Sequence, residues 1–230
     1  MIATLQIDPS LDPPPARLAL IFGAGLPSCQ SAPALPQWAS EAAERVRAAG
    51  EAAWPARLKE RVRAMLRHGK YRPAGRGKPA SEFLLQAACA GEFPNLPPPV
   101  LVNNVVSLES GYPGSLFDAA RTGHELLLRR GRAGESYVFN TSGQAIDLTD
   151  LLLVCRRAGG AWVPCGNPVK DAQETKVHAG TRDVLAVLFA PADERAERLA
   201  RFAERFVELL TVRCGATRAG CVLVPSGERP

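Results

Sequence analysis

The chain of 230 residues is 46% hydrophobic and 22% charged, ordinary values for a soluble globular protein with ample length to bury a core. Twenty prolines and twenty glycines argue for many short elements and against a long helical bundle, and no run approaches the ~18 consecutive apolar residues of a membrane span. The net charge of +5 leans toward polyanionic partners without naming one.

Residues 3–7 (ATLQI) and 17–22 (RLALIF) read as two strands around a Pro-rich turn. The apolar run 18–26 follows Pro13-Pro14-Pro15 and has no basic leader, so it is expected to be a strand and not a signal peptide. Residues 36–50 are rich in Ala and charge and stop at Gly50, which predicts a helix. A second helix is predicted over 55–69, with Pro55 at its start and Gly69 at its end. It places Leu58, Val62, Met65 and Leu66 on one face and its arginines on the other. A third is expected over 80–91, with Phe83, Leu84, Ala87 and Ala88 as its stripe. Residues 100–111 carry many β-branched side chains, which suit a strand, but their Pro-to-Gly framing over about three turns favours a helix.

From residue 123 the texture changes. The stretches 124–139, 144–165 and 181–191 are short apolar runs separated by glycine-containing turns, the pattern of strands and hairpins. Residues 192–212 form the clearest amphipathic helix, with Leu199, Phe202, Phe206, Leu209 and Leu210 on one face. A strand over 220–225 closes the chain. No repeat and no long linker divides it, so one α+β domain over 1–230 is expected, with a central mixed sheet and packed flanking helices.

The stretch YRPAGRGKPASEFLL, residues 71–85, is suited to an anion. Lys70, Arg72, Arg76 and Lys78 surround Gly75 and Gly77, and a helix begins directly after. Glycines let a ligand approach the backbone, cations neutralise phosphate, and the helix N-terminus adds its positive end. The bland alternative is a solvated basic turn.

The six cysteines form no CxxC pair, and His68, His124 and His178 lie at no ligand spacing from them, so no metal site is expected. Cys89 and Cys155 sit in apolar runs and read as buried hydrophobes. Cys214 and Cys221 are close in sequence, but free thiols in a reducing cytoplasm are the simpler expectation. No GxSxG, HExxH or Walker-type glycine loop is present, and no cofactor is called for.

One segment resembles a known family. Gly75-Arg76-Gly77-Lys78-Pro79-Ala80-Ser81-Glu82 is followed by Asn104, Gly111, Pro113 and Asp118 in the spacing N-x6-G-x-P-x4-D. Further on come Gly134-Glu135, Cys155-Arg156-Arg157 and Thr175-Lys176. Together these resemble the B-three/four module of the phenylalanyl-tRNA synthetase beta subunit and its free-standing relatives, over roughly residues 60–210. The resemblance implies a mixed sheet with flanking helices. It also implies a cytoplasmic, trans-acting deacylase that hydrolyses the ester of a mischarged tRNA. The alternative is a non-catalytic module that binds tRNA ends or a free amino acid, and a third reading is a small-molecule hydrolase. Two departures bear on the choice: the family's histidine position reads Ser115 here, and its strand carboxylate position falls near Val187.

The resemblance implies roles for particular residues. Asn104 is the candidate to position water or donate to the oxyanion, and Ser115 to donate to substrate. Ser107 shares the face of Asn104, whereas Asn103 is expected to point elsewhere. Asp118 is either the partner of the substrate ammonium or the cap of the next element. Arg76 and Lys78 are expected at the phosphate and Ser81 at the substrate, with Arg156 facing the same cleft. Arg157 then cannot, because neighbouring strand residues face opposite ways.

Overall fold

The computed structural model describes residues 3–224. Its first half runs β1 (Thr4–Ile7), β2 (Ala16–Ala24), α1 (Gln37–Ala49), α2 (Leu58–Leu66), α3 (Ala80–Ala90), α4 (Pro98–Ser110), β3 (Gly114–Asp118) and α5 (Ala119–Thr122). Its second half runs β4 (Glu125–Arg130), β5 (Ser136–Val138), β6 (Ala145–Asp147), β7 (Leu152–Ala158), β8 (Ala161–Gly166), β9 (Val184–Pro191), α6 (Ala196–Cys214) and β10 (Arg218–Val224).

The strands form an α+β architecture with a mixed sheet, but that sheet does not stand alone. One four-stranded sheet has the order β1-β4-β7-β8, with β1 parallel to β4 and the other pairs antiparallel. A second has the order β10-β2-β9-β3 and is antiparallel throughout. β5 and β6 make a separate hairpin. The two N-terminal strands were expected around one turn; they enter different sheets.

Burial explains these positions. All eight residues of β9 are buried, as a strand paired on both edges and covered on both faces requires. In α6, by contrast, Leu199, Phe206, Leu209 and Leu210 face inward against β2, β10 and α4. Each such side chain contributes roughly 1.5–3 kcal/mol through burial.

Helix α4 settles the ambiguity over residues 100–111. Pro98 opens it, and Gly111 ends it at φ 79°. It is packed by α1, α3, α6 and β3, so its β-branched residues are buried on several faces, and packing overrides their weak helix propensity. Gly111 is also required for space. A Cβ there would lie 2.7 Å from Leu58 Cδ2 and 3.0 Å from the Trp54 ring.

Strand β3 forms the last five residues of the Asn104-to-Asp118 pattern, a stretch not expected to be a strand. Its pairing with β9 brings the motif into the sheet. The closing strand is present as β10; residue 225, assigned to the same strand, lies outside the described residues. All six cysteines are free thiols. Cys155 is buried as expected, but Cys89 is exposed, because it falls on the outer face of α3.

Candidate functional site

A cleft of about 670 Å³ opens between α3, α4, β3 and the loop that follows β8. Its walls include Phe83, Leu84, Val100, Leu116 and Val169. Its polar groups are Asn103, Asn104, Asn167, Asp171 and Lys176, with Arg76 and Lys170 also on its lining.

The loop after β8 carries most of this chemistry, and its shape follows from one side chain. Asn167 Oδ1 accepts from the backbone N–H groups of Val169 (2.8 Å) and Lys170 (2.9 Å), and its amide donates to the Tyr137 hydroxyl. Tyr137 in turn donates to the Lys170 carbonyl at 2.6 Å. This brace turns Lys170 and Asp171 toward β3, where the Leu116 N–H donates to Asp171 Oδ2 at 3.0 Å. Gly166 makes the approach possible. A Cβ there would meet the Phe117 ring at 2.5 Å and Asp171 Oδ1 at 2.6 Å.

Asp171 Oδ1 is buried and receives no hydrogen bond, and the same holds for Asn103 Oδ1. Burial pushes the Asp171 carboxyl up to about 6, against the opposing pull of the Leu116 N–H, the Ser115 hydroxyl and the Lys176 ammonium. Burial also lowers the affinity of Lys176 for its proton, while Asp171 raises it. The Lys176 ammonium donates to the Phe139 carbonyl, and Lys170 Nζ lies 3.8 Å above the Phe139 ring.

Of the residues singled out in the sequence, Asn104, Ser107 and Arg76 line this cleft. Asn104 has no side-chain partner among the described residues. Ser107 is fully buried and its hydroxyl donates to the Tyr112 carbonyl at 2.7 Å, so it serves the C-terminal turn of α4. Asn103 was expected to point elsewhere; it lines the cleft beside Asn104 and donates to the Gly114 carbonyl at 3.4 Å.

The other candidates lie apart. Ser115 is fully buried in β3 and donates to the Asn167 carbonyl at 3.3 Å, so a direct contact with substrate is not its place. Asp118 caps α5, accepting from Ala120 N (2.8 Å) and Arg121 N (3.2 Å). Its carboxylate also accepts from the Thr181 hydroxyl at 2.5 Å and lies 3.1 Å from His178 Nε2. Gly180 N–H donates to His178 Nδ1, which leaves the proton on Nε2, facing Asp118. The cap reading of Asp118 therefore holds, and the ammonium role does not.

Arg156 does not face the cleft. It pairs with Glu174 at 2.5 Å, while Arg157 points the other way, over the Trp162 ring at 5.0 Å. Lys78 donates to Gln86 Oε1 and sits 4.4 Å from the Phe83 ring. Ser81 is buried, with its hydroxyl unpaired, at the start of α3. That helix start is already used by the protein. Ala80 N–H donates to the Pro168 carbonyl at 2.8 Å, and Glu82 in the first turn pairs with Arg63.

Sequence reasoning noted Lys176 within the Thr175-Lys176 motif but not Asp171, Asn167 or Lys170. The signal for them was the dense run GNPVKD, an Asn-Pro turn carrying both charges. No group of three or more His, Cys, Asp or Glu suited to a metal ion occurs among the described residues. None of the described helices is long and apolar enough to cross a membrane.

No family model matches the chain. A stretch of 105 residues is 37% identical to the phenylalanine–tRNA ligase beta subunit of Thiobacillus denitrificans. That stretch is 44% of this chain and 13% of the beta subunit, so the chain is similar to a small part of a much longer protein. Among solved structures, an N-terminal fragment of the phenylalanyl-tRNA synthetase beta subunit from Pyrococcus horikoshii matches with a TM-score of 0.49 at 9% identity. The match covers 98% of this chain and 56% of the fragment.

Proposed function

We propose that this chain is a trans-acting aminoacyl-tRNA deacylase, which hydrolyses the ester between a mischarged amino acid and the terminal ribose of a tRNA. One observation carries the reading. A single cleft joins apolar walls, an unengaged Asn104 amide, a carboxyl poised near neutrality and cations at Arg76 and Lys170. The sequence likeness to part of a phenylalanine–tRNA ligase beta subunit supports a tRNA-related role.

An aminoacyl ester is already activated, so its hydrolysis needs a placed water, an oxyanion donor and a grip on the substrate. In this reading the amino-acid side chain packs against Phe83, Leu84 and Val100. The Asn104 amide donates to the carbonyl oxygen as it gains charge. Asp171 accepts the proton of the attacking water, a task for which a carboxyl near 6 is well matched, and the proton passes to the ribose oxygen as its bond to the acyl carbon breaks. The Leu116 N–H holds Asp171 in place, and Arg76 and Lys170 meet the terminal phosphate.

The test is a panel of mischarged tRNAs, with loss of the ester followed in time. Turnover of at least one member is expected, and Asn104→Ala should lower kcat by about a hundredfold with little change in KM. Saturable tRNA binding without ester loss would favour the non-catalytic module that binds tRNA or a free amino acid. The buried Ser115 at the family's histidine position is the observation behind that second reading. Neither binding nor turnover would leave the small-molecule hydrolase.

A further inference from the structure

A second cleft, of about 860 Å³, adjoins the first and shares Arg76, Phe139 and Lys170 with it. Lys70 and Arg72 complete a set of four cations around it, and Tyr71 lies between them. One acidic side chain, Asp147, faces these four cations on the lining, and it accepts from Thr149 N and Oγ1 at 2.9 and 2.7 Å. The two clefts thus differ in character. The first is largely apolar with a few polar groups; the second is a cationic groove.

The groove is held in shape by the protein itself. The Tyr71 hydroxyl donates to the Gly77 carbonyl at 2.5 Å, which clasps the two ends of the basic loop. Lys70 N–H donates to Asp150 Oδ2 at 2.7 Å, which ties the loop to the segment after β6. Arg72 folds its guanidinium back onto the Gly69 and Tyr71 carbonyls at 2.7 and 3.0 Å. Those bonds satisfy donors but leave the positive charge in place. Lys170 is stacked over Phe139 at the point where the clefts meet. The side chains of Lys70 and Arg76 have no protein partner among the described residues.

We infer that this groove binds the single-stranded RNA immediately 5′ of the aminoacylated nucleotide, with Lys70, Arg72, Arg76 and Lys170 tracking its phosphates. The inference rests on the proposed tRNA substrate and extends it to a site beyond the acyl cleft. A ligand whose acyl end fills the first cleft must pass Arg76, Phe139 and Lys170 to leave it, and the groove continues from those same residues. A strand with one negative charge per nucleotide fits four cations better than any neutral extension does. Arg76 and Lys170, common to both clefts, fall at the terminal phosphate, and Lys70 and Arg72 fall further along the strand.

The experiment uses an unacylated single-stranded RNA of the acceptor-end sequence, with Kd read by fluorescence anisotropy over a range of salt. Each phosphate contact to a single strand contributes about 0.7 to the slope of log Kd against log salt. Lys70→Ala and Lys170→Ala should each lower the slope by that amount, and the double variant by about twice as much. Lys70→Glu should weaken binding more than Lys70→Ala. Arg201 on α6, which stacks over Phe202 on a separate basic surface, serves as the comparison, and Arg201→Ala should keep the parental slope. An unchanged slope in a double variant that melts like the parent would overturn the assignment. So would an equal fall in Arg201→Ala, or no RNA binding by the parent. Because the strand carries no ester, failure of the deacylase reading in the mischarged panel leaves this result standing. Ester turnover combined with an unchanged slope would remove the groove and keep the deacylase.

Discussion

Asp118 is the last residue of β3 and Asp171 reaches the same strand two residues earlier, at Leu116, and their surroundings differ sharply. Asp118 closes the strand with two backbone N–H donors, a threonine hydroxyl and a histidine N–H around its carboxylate. Asp171 reaches the strand from the loop after β8 and takes one backbone N–H, from Leu116, while its other oxygen stays buried and unmatched. A carboxylate saturated with donors is spent on structure. A carboxylate starved of donors in an apolar cleft holds its proton more tightly and can exchange it near neutral pH. The motif pattern draws attention to the first; the local chemistry draws it to the second.

The contrast is broken most severely by Asp171→Asn. Ester turnover should fall by about a hundredfold to ten-thousandfold, the usual worth of a general base, as measured by single-turnover hydrolysis. Parental turnover in that variant would remove Asp171 from the chemistry. In the parent, the rate should rise with pH through about 6, as Asp171 loses its proton. Stability should move the opposite way. The folded-state value lies above the ordinary 3.8, so the contribution of Asp171 to stability is present below about 4 and is lost as pH rises through about 6. Asp171→Asn should therefore raise the melting temperature at pH 8, by the equivalent of about 1–3 kcal/mol.

Asp118→Ala sharpens the same comparison from the other side. It leaves Thr181, His178 and the first turn of α5 without their acceptor, so urea unfolding should show a loss of about 2–4 kcal/mol. Turnover per folded molecule should stay near the parent. A selective loss of turnover with unchanged stability would reverse the two roles.

The smallest effect separates two cations of one loop. Arg76→Ala should flatten the salt dependence of tRNA binding by about 0.7, whereas Lys78→Ala, whose side chain lines neither cleft, should not. Equal slopes for the two variants would mean that the loop binds only as a diffuse charge.

The periodic elements were legible in the sequence. α6 announces itself by its stripe of Leu199, Phe206 and Leu210, and α4 by its Pro and Gly boundaries. β3 was not legible, because a five-residue strand opening on Gly and Ser shows no alternation; its place is set by the register of Ser115 against Val187 in β9. The site was half legible. Asn104 was singled out by the motif spacing and Arg76 by its basic, glycine-containing loop, and both line the cleft. Asp171 was hidden because its environment is made by residues distant in sequence, Leu116 and Phe117 among them. Ser115 was misplaced for a related reason: a motif position does not reveal which face of a strand it occupies. Arg156 and Arg157 show both sides of this. The rule that they face opposite ways held, yet Arg156 turned to Glu174 and neither joined the cleft.

Asp171 is suspended from the end of β8, in the mixed sheet, whereas Leu116 belongs to the antiparallel one and Asn104 to a helix packed on it. Gly166 and Phe117 meet where these two halves close. On the proposed reading, the base and the oxyanion donor are contributed by opposite halves, like two keys that must turn together. A partly opened molecule would separate them while each half kept its own secondary structure. On the proposed reading such a molecule falls silent rather than reckless, since without the joint constellation it spares every ester, the correctly charged ones included.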